Sequence, residues 1–267
     1  MKKAVPYLLL IILFLGAAWY SLIKPTDPVN ELPPPVIAPA ATDTQLQPPP
    51  MKDETDAVYP EIEPEPVVPA EPLPVLNESD SEVKQALAGI AGDDQLAQFL
   101  VTDQVISRAV ASIDSLTSRQ VPVHINPISP AKGTFLVDQE GENLVMSDRN
   151  FARYNGYVAL LQNLDTDLLT TFYRRYSPLF QQAWEENGGL GSFKDRMIEV
   201  IDDLLGTPDV TGPVYLTKPE AVYLFENPEL EAMTAGQKVL VRMGSANAEV
   251  VKEKLVEIRE ALKAGAG

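Results

Sequence analysis

Between Ala4 and Ile23 the chain runs twenty residues, AVPYLLLIILFLGAAWYSLI, without a single charge. A helix rises about 1.5 Å per residue, so this run is about 30 Å long and matches the hydrocarbon core of a bilayer. Lys2, Lys3 and the terminal amine precede it and outweigh Lys24 behind it, which places the amino terminus in the cytoplasm and everything after Lys24 on the far side. Trp19 and Tyr20 stand where an interfacial aromatic belt belongs. A cleaved signal peptide, with Gly16 and Ala18 as its small residues, is the rival reading. The run is longer than the apolar region of about 7–15 residues that such peptides carry, so residues 1–24 are expected to be a retained anchor, meeting the inner membrane through residues 4–23.

The stretch after Lys24 cannot pack. From Pro25 to Leu76 the chain holds 15 of its 24 prolines, with acidic residues scattered between and Lys52 as the only base. Prolines bias such a segment toward the polyproline II helix at about 3.1 Å per residue, and residues 25–76 are expected to form a disordered, acidic tether.

Residues 77–264 read as the folded domain, mainly α, a compact helical unit with a few short β-strands. Ser79-Asp80-Ser81-Glu82 has the form of a capping box, followed by Val83, Ala86, Leu87 and Ile90 at helical spacing until Gly92. A short helix is expected near Gln95–Leu100. A clearer one follows Thr102, with Val105, Ile106, Ala109, Val110, Ile113 and Leu116 on one face. VPVHIN at Val121–Asn126, GTFLVD at Gly133–Asp138, NLVM at Asn143–Met146 and VYLT at Val214–Thr217 have the composition of short strands. The packing centre is expected between Asn150 and Asn187, where Phe172, Tyr176, Phe180 and Trp184 recur every four residues. Pro178 interrupts that stripe. Because proline is favoured at the first helical position, Ser177 reads as an N-cap and the stripe as two helices meeting at a corner. Ser192 through Asp195 reads as another capping box. Helices are also expected after Pro219 and Pro228, from Thr234 to Gly244, and from about Ala246 with Val251, Leu255, Ile258 and Leu262 on one stripe.

Composition removes much chemistry. The formal net charge is -17, and no cluster of Lys and Arg is present to meet phosphates, so nucleic acid is not an expected partner. With no Cys and one His, thiolate metal sites, thiol nucleophiles and multi-histidine centres are impossible, and neither a cofactor nor a metal site is expected. His124 lies in a proline-flanked strand-like run, and no G-x-S-x-G elbow accompanies it. Glu185-Glu186 and Asp202-Asp203 point about 100° apart as helical neighbours, so neither pair alone forms a two-carboxylate site. No catalytic residue is identified. The polar groups that interrupt apolar stretches are Arg153, Tyr154, Arg174, Arg175, Gln237, Lys238, Arg242 and Asn247, and these eight are the candidate binding residues. Arg242, between Val241 and Met243 at a helix end, is either a fork for an anionic ligand or a structural cation; the structural role is the expectation.

NFARYNGYVALLQNLD, FYRRYSPLFQQAWEENG, IDDLLGTP and AGQKVLVRMGSANAEVVKEKL resemble the blocks of a bacterial family catalogued as domain of unknown function 3014, over roughly Leu76 to Leu262. The resemblance implies an envelope protein with an amino-terminal anchor and a proline-rich spacer, and brings no activity with it. The expectation is an inner-membrane, single-pass protein whose carboxy-terminal domain is periplasmic and binds an envelope protein or cell-wall component. A periplasmic enzyme acting on cell-wall or small polar substrates is the alternative.

Overall fold

The computed structural model describes residues 72–91, 103–119, 133–162, 166–219 and 222–264. The expected anchor, most of the tether, the helix near Gln95 and the strand at Val121–Asn126 with His124 lie outside the described residues. No helix among the described residues is long and apolar enough to cross a membrane.

Eight α-helices are described: α1 (Asp80–Ala91), α2 (Val105–Ser115), α3 (Asn155–Gln162), α4 (Thr166–Glu186), α5 (Phe193–Leu205), α6 (Pro228–Ala232), α7 (Ala235–Arg242) and α8 (Ser245–Ala264). Two 3-10 turns, Leu76–Glu78 and Asp148–Tyr154, precede α1 and α3. Packing begins before the expected Asn77, since Leu76 is buried and Leu73 rests on the same core. The apolar faces of α2 and α8 read from the sequence are buried, and on α5 Leu205 is only partly buried. All six residues named on α2 are sealed, as are Phe193, Met197, Val200, Ile201 and Leu204 of α5, and the four-residue stripe of α8. That last helix touches α3, α4, α5 and α7, so it serves as the common wall of the helical layer.

Helix α4 carries the aromatic stripe as expected but does not break at Pro178. It is continuous over its 21 residues with the proline inside it. Proline removes the amide that would bond the carbonyl four residues earlier, here that of Arg174. The Ser177 hydroxyl donates to that same carbonyl at 3.1 Å, so the orphaned acceptor is satisfied locally and the helix runs on. The rings of Phe180 and Phe193 then stack at 5.9 Å and tie α4 to α5. Full burial of each such side chain is worth about 1.5–3 kcal/mol.

Two expected caps are also made differently. Ser79 donates its hydroxyl to Leu76 O at 2.7 Å, and Glu82 accepts from the Tyr176 hydroxyl at 2.8 Å instead of closing a box. Asp80 reaches across to accept the amides of Gln104 and Val105 at 2.7 and 2.8 Å, capping α2 from another helix. Ser192 has N-cap backbone geometry but makes no side-chain cap bond; the Gln181 carbonyl oxygen takes the Phe193 amide at 2.9 Å in its place. At α5 the longer Gln181 side chain thus reaches the helix end in place of the adjacent serine.

The short strands form a four-stranded antiparallel sheet in the order β1 (Val137–Glu140), β2 (Asn143–Met146), β3 (Tyr215–Thr217) and β4 (Leu224–Phe225). Strands β2 and β3 match NLVM and VYLT. In the expected GTFLVD strand the paired run starts at Val137; just before it, Leu136 O accepts the Ser147 amide at 3.2 Å, while Asn150 accepts the Leu136 amide at 2.9 Å and donates to its carbonyl at 2.6 Å. No helix is seen at Pro219 or at residues 222–225, where β4 pairs with β3 through Leu216 opposite Phe225. Side chains alternate across the sheet. Leu144, Leu216 and Phe225 thus share the face that closes a second core with Met146, Val214 and Val241, while Asp138, Val145 and Tyr215 share the other.

Candidate binding grooves

Helix α7 lies between the two cores. Val239 and Leu240 enter the helical core, and Val241 enters the one beneath the sheet, so even Lys238 and Arg242 are buried. Thr234 opens the helix with a complete capping box. Its hydroxyl accepts the Gln237 amide, the Gln237 side chain accepts the Thr234 amide, and Gln237 Nε2 donates onward to Asp203 O at 2.8 Å. The Thr234 hydroxyl also donates to the Asp203 carboxylate at 2.8 Å, while burial raises that carboxyl above the usual range. Lys238 forms an ion pair with Glu231 of α6, whose other oxygen accepts the Phe225 amide at 2.9 Å. Helices α6 and α7 and strand β4 are thereby joined through one carboxylate.

Arg242 lays its guanidinium over the Phe225 ring, 4.9 Å from the centroid. Burial pulls its pKa down to about 10, so the charged form is held at a cost that the ring face and neighbouring groups offset in part. Asn247, in the first turn of α8, donates to Phe151 O at 3.1 Å and Met243 O at 3.0 Å, fixing the 3-10 turn against the α7–α8 junction. Arg153 donates to Gly133 O at 3.2 Å. Tyr154 is buried, and burial pushes its hydroxyl pKa up. Arg175 pairs with Glu82 at 3.6 Å. Seven of the eight candidate residues therefore have contacts that hold the fold together. Arg174 is the exception, because it lines a groove.

Two grooves stand out among the described residues. The larger, about 660 Å³, lies between the outer sheet face, the segment 210–214 and the α7–α8 junction. Asp138, Glu140 and Val145 come from the sheet, Asp148, Arg149 and Phe151 from the turn after it, and Val241 and Gly244 from the far wall. The hydrogen bond from Ser147, and then that from Arg149 at 2.7 Å, keep the Asp138 carboxyl below its ordinary range. None of the eight candidate residues lines this groove. A sequence signal did exist: Gly244, read as a helix stop, adopts φ +83, and the Phe151 ring closes to 2.8 Å of where a Cβ would stand. The smaller groove, about 350 Å³, runs between α4, the start of α5 and the end of α8, and holds Arg174 and Lys194. No group of three or more His, Asp or Glu side chains among the described residues is arranged to hold a metal ion.

No curated protein and no solved structure matches the chain. Residues 105–259 match the family described as "Protein of unknown function (DUF3014)", and the chain belongs to that family.

Proposed function

We propose that the protein is a non-catalytic binding or adaptor component of the bacterial envelope. Residues 4–23 anchor it in the inner membrane, residues 25–76 give it reach, and the helical domain stands in the periplasm to engage an envelope protein or cell-wall component. The observation that carries this reading is the larger groove. It is open and large enough for a ligand segment, and its Asp138 carboxyl is held below the ordinary range by hydrogen bonds from Ser147 and Arg149 rather than poised as an acid. A carboxyl that serves as general acid near neutral pH needs a raised pKa at the reacting centre. Asp203, whose carboxyl pKa is raised by burial, faces the Thr234 cap and lies outside this groove. Tethering supports the same reading, because a fixed anchor raises the effective concentration of a weakly binding domain near its target.

The test places a photocrosslinking residue at Thr211, an exposed position in the groove wall, in the full-length protein in living cells. A discrete adduct is expected, and its yield should fall when residues 33–72 are deleted at equal protein abundance. An undiminished yield would remove reach from the proposal. Turnover of a cell-wall fragment by the purified chain would replace binding with catalysis.

A further inference from the structure

We propose that the smaller groove is a binding site for a small organic anion, a carboxylate or phosphate carried on a compact apolar body. Its charge is the first reason. In a chain with 38 acidic and 21 basic residues, a base held near the surface readily finds a carboxylate, and on the same two helices Arg175 pairs with Glu82 at 3.6 Å and Arg196 with Asp114 at 2.7 Å. Arg174 and Lys194 form no ion pair among the described residues, yet both line one concavity. Two like charges facing one hollow repel each other, and a bound anion turns that cost into two favourable contacts.

The surroundings supply the second reason. Ser192 lines the groove with a hydroxyl that makes no cap bond, because Gln181 has taken over the end of α5. Tyr173 also lines the groove, and burial together with the nearby Asp195 charge raises its phenol pKa, so the hydroxyl keeps its proton. Pro178 and Leu262 offer apolar surface. The Ser177–Pro178 step that keeps α4 continuous holds Arg174 and Pro178 on one rigid wall, one helical turn apart. A volume near 350 Å³ suits a small molecule.

This site is independent of the tethering reading and of the larger groove. Its test titrates the purified full-length chain at low ionic strength with benzoate, phenyl phosphate and neutral benzyl alcohol, by calorimetry. At least one anion should bind about tenfold more tightly than the alcohol, and Arg174→Gln and Lys194→Gln should each weaken it about five- to tenfold. Arg119→Gln, which removes an exposed charge outside the groove, should change nothing. Preference for benzoate or for phenyl phosphate identifies the anionic group. Should a Gln variant fail to fold, Arg174→Lys and Lys194→Arg decide, and retained binding is expected of both. The proposal is overturned if neither anion outbinds the alcohol, if folded Gln variants bind like the parent, or if the charge-keeping variants lose binding.

Discussion

Helices α4 and α7 both carry charges inside apolar stretches, and the fold treats them in opposite ways. On α4 the aromatic stripe faces the core while Arg174 stays exposed and Arg175 half-buried at the edge. On α7 the helical core covers one side and the sheet covers the other, so Lys238 and Arg242 are only 3% and 5% exposed. An amphipathic pattern shows which face a first layer covers, but not whether a second layer will arrive. Charges on a singly covered helix remain available to ligands, whereas those on a doubly covered one are committed to partners within the fold.

The contrast between α4 and α7 is tested most severely by stripping α7 of its counter-charge. Glu231→Ala leaves the Lys238 ammonium buried and frees the Phe225 amide, and should cost about 2–4 kcal/mol in urea unfolding. Lys238→Met, which fills the volume without the charge, should cost clearly less. Equal losses would mean that the buried, unpaired Lys238 ammonium does not dominate the cost. Arg242→Ala comes next, at about 1–3 kcal/mol from the lost ring contact and cavity, with Arg242→Met milder. If Arg242→Ala melted like the parent and instead lost a partner, the doubly covered helix would be a binding element after all.

Smaller effects separate the caps. Thr234→Ala should cost about 1 kcal/mol because its hydroxyl completes a box and also holds Asp203, whereas Ser192→Ala should be neutral within a few tenths of a kcal/mol. A Ser192→Ala loss as large as that of Thr234→Ala would contradict capping by Gln181.

The last effect is confined to alkaline solution. Burial and the bond to Glu82 push the Tyr176 pKa up to about 12, from an ordinary value near 10. Between those values the unfolded chain releases a proton that the folded one keeps, so this group's contribution is present below pH 10 and lost as pH rises toward 12. Tyr176→Phe should flatten the fall in stability over that window, and an unchanged slope would show that Tyr176 does not contribute to it.

Local sequence was enough to specify the buried faces of α2 and α8 and the Thr234 capping box, since each depends on residues within a few positions of one another. It also held the means of repairing α4, for Ser177 lies one residue from the proline whose missing bond it replaces. Long-range packing settled the rest. Asp80 caps a helix 25 residues on, Glu82 meets Tyr176 across 94, and Asn247 holds Phe151 across 96. The β2–β3 pairing that covers the second side of α7 joins Val145 to Tyr215. The candidate site divided along the same line. Arg174 was legible because an exposed charge on a one-sided helix stays exposed. The larger groove was not, because its walls come from strands, a turn and a helix junction that only long-range pairing brings together.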